Sequence, residues 1–166
     1  MLSNHTLSHA AVLPPGLAEL PAETLAPQRT FRHSIDIYLK DSNAYANTYF
    51  SRYFEWQGVC RERWFHQCIA ADLLQSRGVF ITKRAHTEYL HETFPFQSVD
   101  CELNTWDVRQ CSFYLVFRFL LEGTLVASGY QQIVFASHDK RIQRLPDDVL
   151  ERVREYALVQ QAAPLN

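Results

Sequence analysis

The chain has 166 residues, 47% of them hydrophobic and 20% charged, with 16 Lys and Arg against 18 Asp and Glu. That supports one core and leaves little room for a second domain. A formal net charge of −2 at pH 7 excludes the basic footprint of a nucleic-acid binder. The apolar runs 113–117 and 119–121, broken by Arg118, fall well short of the roughly 20 residues that span a bilayer.

Residues 1–29 are rich in Ala, Leu and Pro, without hydrophobic periodicity or a basic stretch before an apolar run. They predict a flexible N-terminal extension, not a signal peptide, ahead of a single domain over 30–162. From Phe31 the chain alternates, with Phe31, His33, Ile35 and Ile37 on one face and Arg32, Ser34, Asp36 and Tyr38 on the other. This is the period of a half-buried strand. The polar run Lys40-Asp41-Ser42-Asn43 predicts a turn or a helix cap, because Asp and Asn side chains bond nearby backbone.

A long amphipathic helix is predicted over 47–69, a stretch without Pro in which Gly58 is the single Gly. At about 100° per residue, Phe50, Phe54, Gln57, Arg61, Trp64 and Cys68 form its stripe, with Tyr53, Cys60 and Phe65 at the margins. Strands follow over 79–90, 96–104, 109–121 and 124–138, rich in aromatic and β-branched residues. Glu122-Gly123 joins the last two as a tight hairpin. Leu145-Pro146-Asp147-Asp148 then opens a short helix to about residue 161, with Pro early and acids in the first turn.

Strand, long helix, four strands and short helix make an α+β domain whose helix buries its stripe on an antiparallel sheet. A hotdog fold is one such solution. The cysteines at 60, 68, 101 and 111 show no CxxC pair and read as reduced thiols of a cytoplasmic protein. The seven histidines form no HExxH or Cys/His ladder, so neither a metal nor a cofactor is expected.

The segment from Asp41 to Trp56, Asp41-Ser42-Asn43-Ala44-Tyr45-Ala46-Asn47-Thr48-Tyr49-Phe50-Ser51-Arg52-Tyr53-Phe54-Glu55-Trp56, resembles the D-x-D-x-x-G-x-V-Y-F-x-x-Y-x-x-W signature of hotdog thioesterases of the 4-hydroxybenzoyl-CoA type. With Asn43 for the second Asp, Asn47-Thr48-Tyr49-Phe50, and then Trp56-Gln57-Gly58-Val59-Cys60-Arg61-Glu62, it looks most like the thioesterases of enediyne polyketide pathways. Ala46 stands where the signature has Gly, which predicts a tighter turn and a narrower substrate passage.

The resemblance implies a single hotdog domain that hydrolyses an acyl thioester on the acyl carrier protein of a polyketide synthase, without cofactor. The released acid would be a polyene or a β-keto acid, and the latter loses CO₂ unaided. It also implies that Asn43 and Arg61 converge as catalytic residues that polarise the acyl group beside the backbone N–H of Phe50 as oxyanion donor, with Tyr53 binding the acyl group. Tyr49, Phe54, Gln57 and Trp64 would then line the chain's path, and a homotetramer of two dimers would place the pocket between subunits.

An amide at position 43 can donate a hydrogen bond or orient water, but it is no effective base. Asn43 also fits a plain Asx turn, Tyr53 fits core packing, and Arg61 fits an ion pair with Asp41 or with Glu62 of a neighbouring subunit. Cys60 beside Arg61, and His86 and His91 flanking Glu88, fit structural roles better than chemistry. Two other functions are consistent with the chain: a general acyl-CoA thioesterase of the same fold, and a non-catalytic acyl-binding partner of a synthase.

Overall fold

The computed structural model describes residues 14–17 and 27–158. Five strands, β1 (Phe31–Asp36), β2 (Val79–Tyr89), β3 (Ser98–Trp106), β4 (Ser112–Leu121) and β5 (Thr124–Ala136), form one sheet in the order β1-β3-β4-β5-β2. Every pairing is antiparallel. Because β1 and β2 are the two edges yet follow one another in sequence, the chain between them has to cross a whole face of the sheet. That crossing is made by α1 (Ser51–Trp64) and the wider π turn Phe65–Ile69 that extends it. A sheet wrapped around one long helix is the hotdog arrangement expected from the sequence.

The core lies between α1 and this face. Tyr53, Trp56, Cys60 and Trp64 of the helix meet Cys101, Leu103, Phe113, Leu115, Phe117, Phe119, Ile133 and Phe135 of the sheet. Aromatic rings interlock edge to face, as where Tyr53 meets Phe119 at 5.1 Å between centroids and Trp64 meets Phe113 at 6.3 Å. Such contacts add to the gain from burying each ring. Gly129 of β5 is required by close approach, since a Cβ there would stand 2.2 Å from the His86 carbonyl oxygen and 2.4 Å from Gln57 Nε2.

Several predicted elements hold. β1 alternates as expected, with Ile37 fully buried just beyond it. Glu122 and Gly123, at φ 49° and 81°, make the two-residue left-handed turn that hairpins favour. The closing helix α3 (Asp147–Glu155) begins directly after Pro146, with Asp147 and Asp148 in its first turn.

Others shift. The helix predicted from residue 47 begins only at Ser51, because the preceding N–H groups are already engaged: Thr48 N–H donates to Thr93 O at 2.8 Å and Tyr49 N–H to Asp41 O at 2.8 Å. The buried face is turned toward what the periodicity put at the margin. Tyr53, Trp56, Cys60 and Trp64 face the sheet, while Phe50 and Phe54 are 55% and 37% exposed. A short helix α2 (Leu73–Ser76) is added before β2, and β3 starts at Ser98 instead of 96.

α3 stops at Glu155, short of 161, where Thr105 pairs with Ala157 and Leu158 N–H donates to Thr105 O at 2.9 Å. The predicted ends at 161 and 162 lie outside the described residues, as do 1–13 and 18–26 of the predicted extension. Within that extension Pro14–Leu17 form a turn against Trp106, whose Nε1–H donates to Pro15 O at 3.2 Å, and Leu17 is buried.

Ala46 has φ 63°, in the left-handed region that costs an L-residue about 1–2 kcal/mol. It is exposed and lies outside the cleft described below, so its cost is conformational and not a narrowing of any passage. Ala46→Gly relieves the backbone and gives back part of the gain through the freer unfolded chain. The expected outcome is a net stabilisation of about 0.5–1 kcal/mol, read from the urea midpoint.

Candidate active site

A cleft of about 320 Å³ opens where α1 begins, lined by Asn43, Asn47, Thr48, Tyr49, Phe50 and Tyr53 on one side and by 89–93 at the end of β2 on the other. Its floor is held by hydroxyls. Tyr53 OH lies 2.8 Å from Thr93 Oγ1, which lies 2.7 Å from Thr48 Oγ1, and Thr48 Oγ1 donates to Thr93 O at 3.0 Å. Thr93 is buried, so this chain of hydroxyls satisfies polar groups that would otherwise be costly to bury. Burial is the main influence on Tyr53 and raises its pKa, with the Thr93 hydrogen bond a smaller opposing one. Tyr53 therefore faces the cleft as a neutral phenol.

The turn before the helix is built by its own side chains. Asn43 Oδ1 accepts from Tyr45 N–H at 2.8 Å, an Asx turn, while Asn43 N–H donates to Asn47 O at 2.9 Å. The amide's Nδ2 makes no hydrogen bond with a described residue, and the side chain lines the cleft. The oxygen of Asn43 therefore shapes the turn, as the Asx reading expected, and its nitrogen is not engaged by any described residue. Asp41, buried beneath the turn, accepts from Tyr38 N–H at 2.9 Å and faces Arg52 Nε at 3.5 Å. Its ion partner is therefore Arg52 and not Arg61.

Phe50 caps α1 at φ −54° and ψ −35°, and its N–H donates to no described residue. Its carbonyl accepts from Tyr89 OH at 2.7 Å, which ties the first turn to the end of β2. An unpaired N–H at the positive end of a helix, in a cleft, is an oxyanion donor in form. Tyr49 and Phe50 rings, 4.7 Å apart, stand exposed at its rim.

The remaining candidates lie elsewhere. Gln57 is fully buried next to the cleft floor; its Nε2 donates to Thr87 Oγ1 at 2.8 Å and His86 O at 3.2 Å, and its Oε1 accepts from Gln131 Nε2 at 3.2 Å. Gln131 Oε1 in turn accepts from Arg61 Nη1 at 2.9 Å, and Arg61 Nη1 also donates to Thr82 Oγ1 at 2.8 Å. Arg61 lines a second cleft, about 480 Å³, with Glu62, Phe65, His66, Ala70, Ala71, Val79 and Phe80. Burial lowers its pKa and Glu62 partly offsets this, yet no ion pair forms with it among the described residues. Asn43 and Arg61 consequently do not converge within one protomer; a buried polar relay, Gln57–Gln131, lies between their clefts. Trp64 is fully buried in the core and lines neither cleft, and Phe54 points outward.

Sequence reasoning missed Asn47 and Thr48 as individual groups, and Tyr89, Glu92 and Thr93 altogether. Asn47 and Thr48 stand in the quoted motif. The others arrive from more than 35 positions away through the pairing of β2, which no local pattern reports. His86 stacks on Tyr130 at 5.6 Å, away from His91 at the cleft. Among the described residues no group of three or more His, Cys, Asp or Glu is placed to hold a metal ion, and no helix is long and apolar enough to cross a membrane.

Residues 37–153 match the family described as the Thioesterase-like superfamily. No curated protein matches the chain. Among solved structures, the dynemicin thioesterase, studied with bound polyene, is 20% identical with a TM-score of 0.72, over 79% of this chain and 99% of that one. A 1,4-dihydroxy-2-naphthoyl-CoA thioesterase from Synechocystis is 13% identical with a TM-score of 0.68, over 75% and 96%. A gentisyl-coenzyme A thioesterase is 16% identical with a TM-score of 0.68, over 74% and 99%.

Proposed function

The chain belongs to the Thioesterase-like superfamily and is a thioester hydrolase, and from that premise we propose that it frees an acyl chain from a carrier protein by water attack in the cleft at the start of α1. The observation that carries this reading is the unpaired Phe50 N–H in a cleft shared with the free amide nitrogen of Asn43. A thioester carbonyl is already activated, so the site has to hold it, stabilise the oxyanion and admit water. With its oxygen against Phe50 N–H, the developing charge meets the helix dipole and the Asn43 Nδ2–H donor. Tyr49, Tyr53 and Tyr89 flank the chain, and their flat faces suit conjugated acyl groups.

The carrier-bound polyketide substrate is supported by the Asn47-Thr48-Tyr49-Phe50 and Trp56–Glu62 segments and by the likeness to a polyene-binding thioesterase. A β-keto acid freed in this way loses CO₂ without further catalysis. The CoA reading is favoured by the likeness to two CoA thioesterases. Parallel turnover of one acyl chain on a polyketide-synthase carrier protein and on CoA, with products read by mass spectrometry, separates them. We expect the carrier-bound chain to be preferred. Release at the background rate from both would leave an acyl-binding partner in place of an enzyme.

We propose that Arg61, which opens on the second cleft and is walled off from the first within one protomer, meets the polar far end of an acyl chain bound in the partner protomer's cleft. Its Nη1 is spent on the neutral acceptors Thr82 and Gln131, and the side chain borders the second cleft. We also propose that β2, an eleven-residue edge strand, pairs with its copy in a dimer and that two dimers form a tetramer, since unpaired edges invite such pairing. Arg61→Ala is expected to raise KM about 10-fold for chains with a polar terminus, the size of one charge-assisted hydrogen bond, and to alter kcat much less. A loss in kcat alone would move Arg61 from the chain to the reacting carbonyl.

A further inference from the structure

Water attack on a thioester held against an oxyanion donor is faster with a group that takes the proton, and the amide at position 43 cannot do so. Among the described residues lining the cleft, one carboxylate is present, that of Glu92, in the loop leaving β2. We propose that Glu92 is the general base, a role that rests on the reading of this cleft as the site of hydrolysis.

Four observations converge on it. Glu92 Oε1 accepts from Asn47 Nδ2 at 2.6 Å, and the carboxylate fixes which way that amide points, because the reversed amide would set oxygen against oxygen. Asn47 Oδ1 is thereby left buried without a partner among the described residues, a cost accepted to hold Glu92 in place. The backbone on both sides is anchored: His91 N–H donates to Val126 O at 3.1 Å, and Thr93 O accepts from Thr48 N–H at 2.8 Å. Oε2 receives no hydrogen bond from a described residue, so it is the oxygen free to meet water. A base held this way, in the cleft that Phe50 also lines, is organised before substrate arrives.

The step balances without a further reactant. Glu92 takes one proton as the water oxygen bonds the carbonyl carbon, and the carbonyl π electrons become the oxyanion held by Phe50 N–H. Collapse breaks the C–S bond, and the proton passes from Glu92 to the departing thiolate, leaving free acid and thiol. The other ionisable groups facing the cleft are Tyr49, Tyr53, Tyr89 and His91; the tyrosines are phenols, and His91 is the competing base.

The test follows thiol release from decanoyl-CoA and from a decanoyl-loaded carrier protein. Glu92→Gln keeps the acceptor that Asn47 uses, so it is expected to fold and to lose about 100-fold in kcat with KM within about twofold of wild type. Glu92→Ala is expected to recover turnover when formate is added, which a structural role would not produce. Leu90→Trp, which adds bulk to a residue lining the cleft, reports on the site itself. If Leu90→Trp abolishes turnover while Glu92→Gln retains it, Glu92 is not the base and the cleft stands. A loss confined to His91→Gln would assign the role to His91. Wild-type rates in both Leu90→Trp and Glu92→Gln would overturn the cleft, and absence of release by the wild-type protein from both thioesters would overturn hydrolysis here altogether.

Discussion

Phe50→Pro should lower kcat by about 100- to 1000-fold while the protein stays folded, the loss expected for one oxyanion donor. Ordinarily a proline near a helix start is a test of stability, but three features make it a test of chemistry here. The backbone at Phe50 already has φ −54°, within the range a pyrrolidine ring imposes. Its N–H donates to no described residue, so its removal breaks no hydrogen bond among them. Its carbonyl, which Tyr89 OH holds at 2.7 Å, is kept. Phe50→Ala separates the ring from the donor, because it loses the exposed aromatic side chain and keeps the N–H. The decisive measurement is the ratio of the two kcat values at matched melting temperature. If Pro and Ala variants turn over at the same rate, the N–H at position 50 does not carry the oxyanion.

How much of this was legible in the sequence differs between fold and site. Alternation fixed β1, Glu122-Gly123 announced the hairpin, and Pro146 with two acids marked the start of α3, because each is a local rule written in adjacent residues. The start of α1 was not local. Thr48 and Tyr49 have helix-compatible neighbours, but their N–H groups are claimed by Thr93 and Asp41, partners that periodicity cannot see. For the same reason the stripe was misoriented: Phe50 and Phe54 look as apolar as Trp56, and only the sheet decides which of them it covers. At the site, Asn43, Phe50 and Tyr53 stood in one motif and share one cleft, whereas Arg61, on the same predicted stripe, opens on another. Glu92 carried no signal, since its meeting with Asn47 spans 45 positions.

Asn43→Asp should cost at least about 100-fold in kcat and leave the turn intact. The turn survives because Asp offers the same oxygen to Tyr45 N–H, which Asn43 Oδ1 now accepts at 2.8 Å. What changes is the other end of the group. Nδ2, a donor facing the cleft, becomes an anionic oxygen that repels the oxyanion it is meant to stabilise and adds a second negative charge to a cleft that already holds Glu92. A site short of a base would respond in the opposite way, gaining rate from the new carboxylate. The direction of the change therefore reads two assignments at once. A loss fits the amide as donor and the base placed elsewhere, at Glu92. A gain would mean that position 43 is where the proton is taken, and that an Asn there holds the enzyme back. The double variant Asn43→Asp, Glu92→Gln makes the reading sharper: with one carboxylate restored to the cleft, turnover above that of Glu92→Gln alone would show that the carboxylate at 43 substitutes for the one at 92, whereas a further fall would mean that the two positions do different work.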